Sequence, residues 1–460
     1  MKKKIMVLLE DLHSGKLSKD EEENQGAGEA NKEADLQSRG LSNVEEENQD
    51  TLLEQRIHQE LQNAINKDLL FKELVKSPQT IVKDIRTYIK SYRQTSGFEI
   101  STCNDKILQV IYKNSEQVLL EIGKLKAFAR SNHNTFPVSS RADANQKYNF
   151  ELDRHVLEKE DAQRKRKNEH KFEVLDALLT IIYELCMKEI TTEIRTVYYR
   201  NPELFKSRDK VSAAIGDLCC MIGCTRSSLH VYASEKGIVF GNISFSVGSQ
   251  RYNCTTGGIK GTPIPSKTDK IKSMKNKDAL FILVVEKETV FQRLVEDGFC
   301  RKYRCILITA KGMPDVASRF FLRKMWSEFQ LPVFALVDFD PYGLKILSVF
   351  RNGSKNMSFD SENLTTPDIK LIGMLHKDIE RYQIREDFKL KMTDFDIKTA
   401  RSLLKKPYIS EEEKEGLRYM LDNGIKCEVE AWYSHGIEFL SKVVLPLNIQ
   451  NMVVPGQPSA

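Results

Sequence analysis

Asp338 and Asp340 stand two residues apart at the end of an apolar run over 333–337, and Glu286 ends a similar run over 281–285. Alternate side chains of an extended chain share a face, so Asp338 and Asp340 are expected to project together. Glu286, from a neighbouring strand end, completes a cluster of three carboxylates. Like charges that close repel unless a cation stands among them. Oxygen donors of this kind suit a hard divalent ion, and Mg²⁺ is the expected cofactor. Any one of the three alone reads more readily as a helix N-cap or a solvated strand-end acid. Together, at the ends of two buried runs, they favour the metal.

The elements that must position these acids can be read from the same stretch. The runs over 281–285, 305–309 and 333–337 are short and continuously apolar. That pattern suits strands buried on both faces, as in a parallel sheet. Helix-like segments lie between them, so strand and helix alternate as in a doubly wound α/β fold. Ligands of such sheets bind outside the carboxyl ends of the strands, where Glu286, Asp338 and Asp340 stand.

The chain has 460 residues, enough for two or three domains with their own cores. Its 70 basic residues barely outweigh its 65 acidic ones, so overall charge says little about partners. No apolar run approaches the roughly 20 residues that span a bilayer. The five-residue apolar patch after the first lysines is too short for a signal sequence. Nine scattered cysteines read as reduced thiols of an intracellular protein, with Cys219, Cys220 and Cys224 as core thiols rather than zinc ligands. Residues 1–52 are Glu-rich, repeat Glu-Glu-Glu-Asn-Gln, and are expected to be a disordered acidic tail. Residues 53–171 read as a helical region followed by a basic linker. Its run Arg164-Lys165-Arg166-Lys167 suits a nuclear-localisation signal, a phosphate contact or a solvated helix face.

Residues 172–265 read as a compact helical DNA-binding domain. Leu175, Leu178, Leu179, Ile182 and Leu185 repeat at helical spacing. A second short helix is expected from about 193, and a third over 211–221 ended by Gly223. Alternation at 228–232 and again at 238–240, around a turn at Lys236-Gly237, predicts a small hairpin. Three helices and a hairpin outline a winged helix. Arg208, Lys210, Arg226 and Lys236 are then expected on its DNA-facing side.

An ordered set of motifs sharpens this outline. Arg195-Thr196-Val197-Tyr198-Tyr199 precedes Glu203-Leu204-Phe205, and Ser228-Leu229-His230-Val231 follows. Then come Val285-Glu286-Lys287-Glu288, Lys311-Gly312-Met313-Pro314-Asp315, Val337-Asp338-Phe339-Asp340-Pro341-Tyr342-Gly343 and Lys406-Pro407-Tyr408. Over residues 172–448 the chain resembles the A-type component of topoisomerase VI and its eukaryotic meiotic relatives, the Spo-eleven transesterases. The stretch through Ser228 to Val231 looks like the meiotic branch.

The resemblance implies a winged-helix domain carrying a tyrosine nucleophile and, over 275–460, a Toprim domain carrying Mg²⁺. By the family pattern Tyr199 is the nucleophile and Tyr198 its packed neighbour. Thr196 stands where the family usually has an acid, and Phe339 and Tyr342 replace a small and a basic residue. Arg195 is expected to steady phosphoryl oxygens, and Arg226, Lys236 and Lys311 to contact DNA. The implied protein is a nuclear homodimer that makes double-strand breaks through a 5′-phosphotyrosyl link, initiating meiotic recombination. In the family the tyrosine of one protomer works with the metal of the other. No glycine-rich nucleotide fingerprint is present, so ATP would come from a partner resembling the B-type component of topoisomerase VI, alongside other meiotic break factors. Two other classes fit parts of the pattern: a Toprim metal phosphoesterase that forms no covalent link, and a silent DNA-binding scaffold.

Overall fold

The computed structural model describes residues 72–95, 108, 110–137, 145–158, 169–233 and 235–454. They lie in one compact unit, Asp68–Ala460. The predicted acidic tail, most of the helical region from 53, and Arg164–Lys167 fall outside the described residues.

A six-stranded sheet organises the C-terminal part. Its strands run in the order Lys370–Gly373, Val333–Leu336, Phe281–Val285, Cys305–Thr309, Ile238–Phe240 and Thr262–Pro263. The first four are mutually parallel, with Val284 opposite both Ala335 and Ile308. The helices Glu288–Glu296, Val316–Phe329 and Pro341–Arg351 follow the three strands read from sequence. Every residue of Phe281–Val285 is at most 2% exposed, which is why that run does not alternate. Burying side chains of that size stabilises by about 1.5–3 kcal/mol each. The parallel α/β sheet expected from sequence is therefore present.

A second core gathers the helices Ser115–Ser131, Glu169–Met187 and Arg208–Ile222 with Val197 and Phe205. Leu175, Leu178, Leu179, Ile182 and Leu185 form the buried stripe of the first expected helix. Gly223 ends Arg208–Ile222 at φ +66°, a left-handed backbone that glycine adopts without strain. Cys219, Cys220 and Cys224 are buried, as core thiols.

The expected hairpin is not formed. Val231–Tyr232 pairs in parallel with Thr192–Glu193. Ile238–Phe240 instead joins the large sheet, antiparallel to Cys305–Thr309 and to Thr262–Pro263. Ile238 and Val239 are both buried, so this strand needs cover on two faces, which a small wing cannot supply. A separate three-stranded antiparallel sheet follows, with Ile243–Val247 between Gln250–Asn253 and Ile271–Asn276.

Candidate active site

The tyrosine pair lies on the helix Ile194–Arg200. Val197 faces the second core at 1% exposure and Tyr198 packs against the same core. Tyr199, one step further round, is 59% exposed. A helix of 3.6 residues per turn points the two side chains in different directions, though their rings still touch, with centres 5.2 Å apart. Arg195, one turn earlier, sets its guanidinium 5.7 Å from the centre of the Tyr199 ring. Arg200 anchors the helix end through Nη1 to Glu184 Oε2 at 2.6 Å, and that ion pair holds the Glu184 carboxyl down at about 2.

Two of the three acids come together at the sheet. Glu286 follows the strand Phe281–Val285, and its Oε2 accepts a hydrogen bond from the Asp338 backbone N–H at 3.0 Å. Burial, then the charge of Asp338, pushes the Glu286 carboxyl up to about 8. Asp338, 7% exposed, is raised to about 6, chiefly by burial. Its Oδ1 accepts from the Val429 N–H at 2.8 Å, and its Oδ2 lies 3.2 Å from Lys287 Nζ. Gly343 packs against this pair: a Cβ there would meet Asp338 O at 2.7 Å and Glu286 Oε2 at 3.1 Å.

Asp340 is turned to a different task. It is the N-cap of Pro341–Arg351, and its Oδ1 accepts from the Gly343 N–H at 2.5 Å. Burial raises its carboxyl too. The strand ends at Leu336, so the two-residue alternation does not carry through to position 340. Among the described residues no three His, Cys, Asp or Glu side chains are gathered closely enough to hold a metal ion as they stand.

The donor chemistry nevertheless fits a divalent cation. Glu286 and Asp338 offer oxygen only, are buried side by side, and are both raised chiefly by that burial, which a bound cation would offset.

Lys287, Glu428 and Glu430 form a group that the sequence does not announce. Lys287 Nζ stands 3.2 Å from Asp338, 3.1 Å from Glu428 Oε2 and 2.8 Å from Glu430 Oε2. Burial alone would lower this ammonium, yet Glu430 and Asp338 hold it above its ordinary value. The only hint in the chain is that Glu428 and Glu430 repeat the acid-apolar-acid spacing of Asp338 and Asp340.

The three cations expected to contact DNA are each engaged within the chain. Arg226 Nη2 donates to Ser212 O at 3.0 Å and Oγ at 2.9 Å. Lys236 Nζ donates to Met313 O at 2.9 Å, and Lys311 pairs with Glu288 at 2.9 Å. Arg208 and Lys210 are exposed in the first turn of their helix.

Comparison with known proteins follows this division. A family profile for the Toprim domain of the topoisomerase 6 A-type component and Spo11 matches residues 281–449, and one described as type IIB DNA topoisomerase matches residues 170–231. The A-type component of DNA topoisomerase 6 from Arabidopsis thaliana is 39% identical over 409 residues, spanning 83% of this chain and 95% of that protein. The chain belongs to the topoisomerase 6 A-type/Spo11 family. The A3 component of DNA topoisomerase 6 from Oryza sativa subsp. indica is 45% identical over 322 residues, covering 69% of this chain and 72% of its own. The meiotic recombination protein SPO11 of Mus musculus is 37% identical over 284 residues, with 61% and 71% covered. The four parallel strands of the large sheet lie within the residues matched by the Toprim profile, with Glu286 and Asp338 at the strand ends. Among the described residues no helix is long and apolar enough to cross a membrane.

Proposed function

We propose that this chain cleaves duplex DNA by transesterification, with Tyr199 as nucleophile. One observation carries the assignment: Tyr199 is exposed, while on the same short helix Val197 is buried and Tyr198 is half-buried against the core. A nucleophile that must reach a DNA phosphate needs that freedom. A neutral tyrosine hydroxyl is a weak nucleophile, so its proton leaves as it attacks. The Tyr199 oxygen forms a bond to phosphorus, the bond from phosphorus to the 3′ oxygen breaks, and that oxygen departs with a proton. The products are a 5′-phosphotyrosyl link and a free 3′ hydroxyl. One ester replaces another, so the step is reversible and needs no ATP.

Arg195, beside the Tyr199 ring, would hold phosphoryl oxygens through its planar donors. Glu286 and Asp338 would hold Mg²⁺, with Asp340 adjacent. When bound, that ion supplies positive charge to the phosphate. Tyr199 and the acids lie on elements that pack into separate cores, which supports a site shared between the two protomers of a homodimer.

Two settings fit this chemistry in the nucleus. The match across 95% of the Arabidopsis topoisomerase component favours a strand-passage enzyme working with a B-type ATPase partner. The Ser228–Val231 motif and the SPO11 relatives favour meiotic break formation with further partners. Resealing of the break when ATP is supplied together with a B-type partner separates the two settings.

The chemistry itself is tested by substitution. Tyr199→Phe keeps the ring and removes the oxygen, so it should abolish protein-linked breaks and leave duplex affinity within about twofold. Tyr198→Phe should still cleave. Cleavage by the Tyr199→Phe protein would refute the assignment.

A further inference from the structure

The segment 243–277 holds seven Lys and Arg against one acid, Asp269. That is +6 in 35 residues, whereas the whole chain carries +5, so everything else sums to −1. The one acid is occupied, accepting a hydrogen bond from Tyr232 Oη at 3.1 Å.

The fold turns this segment into a sheet with two unlike faces. Ile243, Phe245, Ile271 and Met274 are buried in the large core, and Phe245 stacks on Tyr252 at 4.9 Å. On the other face, Ser246 of the central strand sits between Arg251 and Lys272 in register. Ser244 sits between Asn253 and Lys275. Arg251, Lys272 and Lys275 are exposed, and the two serines between them are only partly covered. A recess of about 410 Å³ opens there, lined by Ser244, Ser246, Ser249, Arg251, Tyr252 and Lys275. Neighbouring strands are about 4.8 Å apart, so the flanking cations lie roughly 10 Å from each other across the serines.

We propose that this face binds the phosphate backbone of duplex DNA, at a place distinct from the tyrosine and the Toprim acids. Among the described residues, no carboxylate pairs with Arg251, Lys272 or Lys275. Cations held this close, without acids, repel one another, and a polyanion offsets that repulsion. Phosphate oxygens can accept from the three cations and from the Ser244 hydroxyl, while Ser246 Oγ already donates to Lys272 O at 3.1 Å and holds the strands in register. Such a contact positions DNA without reading its sequence. The inference rests on duplex DNA being the substrate, but not on which tyrosine attacks it.

The test uses the full chain carrying Arg251→Gln, Lys272→Gln and Lys275→Gln together. Binding of a labelled duplex is followed by fluorescence anisotropy over a range of KCl concentrations. A second triple variant, Lys302→Gln, Lys398→Gln and Lys405→Gln, makes the same change in net charge elsewhere. Three lost phosphate contacts should reduce the slope of log affinity against log salt by about 2.7, with affinity near 0.1 M salt falling on the order of a hundredfold. All three side chains are exposed, so thermal melting should match wild type. A slope equal to that of the second variant overturns the proposal while duplex binding itself stands. Failure of the wild-type chain to bind the duplex at all would instead refute the DNA-cleaving reading.

Discussion

Replacing Glu286 by Gln should stabilise the metal-free protein at alkaline pH. The Glu286 carboxyl is pushed up to about 8 from an ordinary 4.5. An acid whose folded pKa is raised keeps its proton longer in the native state than in the unfolded chain. Stability therefore falls as pH rises from about 4.5 to about 8, and the loss is complete above that window. At about 1.36 kcal/mol per pKa unit, the full cost approaches 5 kcal/mol. Asp338 ionises beside Glu286 and shares part of it, which sets the range at about 2–5 kcal/mol. Gln has the same shape, carries no charge, and still offers an oxygen to the Asp338 N–H. Differential scanning fluorimetry in EDTA should find the variant and wild type melting together at pH 5 and the variant several degrees higher at pH 9. Adding Mg²⁺ should narrow that gap, because a ligand at a hundred times its Kd stabilises by about 2.7 kcal/mol and the variant has lost a donor. A lower melting temperature for the metal-free variant at pH 9 would show that the carboxylate is held by contacts stronger than its burial cost. Equal stabilisation of both proteins by Mg²⁺ would remove Glu286 from the metal site.

Lys287→Met should tighten Mg²⁺ binding, because the ammonium that occupies Asp338 in the metal-free protein is gone. The gain should be about tenfold by isothermal titration calorimetry, with a lower metal-free melting temperature; weaker binding would show that Lys287 supports the ion rather than competing with it. Mixing Tyr199→Phe protein with Glu286→Ala protein should restore single-strand, protein-linked nicks, since one heterodimer site is then wholly intact. No nicking after demonstrated exchange of protomers would place each site within one chain.

The strands are legible because of what surrounds them. Phe281–Val285 and Cys305–Thr309 are covered on both faces, and only a continuous apolar run satisfies that environment. Ile238–Phe240 carries the same signal in three residues, but its partner Cys305–Thr309 lies more than sixty positions away, and local alternation holds no record of it. Alternation alone therefore points to the nearer stretch as its mate. The acids divide in a similar way. Glu286 and Asp338 can be paired because each ends a strand of one sheet. Asp340 escapes the alternation rule because the chain leaves the strand at Leu336 and a helix begins, whose free N–H groups claim the carboxylate. Glu428 and Glu430 reach Lys287 only through the tertiary approach of a segment about 140 residues further on, and their acid-apolar-acid spacing does not name Lys287 as the partner.

The central claim is that Tyr199 becomes joined to DNA, and the direct measurement is to identify the joined residue. Covalent complexes formed on a duplex with Mg²⁺ would be denatured, digested with protease and nuclease, and the nucleotide-bearing peptide sequenced by mass spectrometry. The expected product is a 5′-nucleotide on the peptide containing Tyr199, attached at its phenolic oxygen. Attachment at Tyr198 or any other residue would contradict the account, as would cut DNA whose 5′ phosphates are free and whose protein carries no nucleotide.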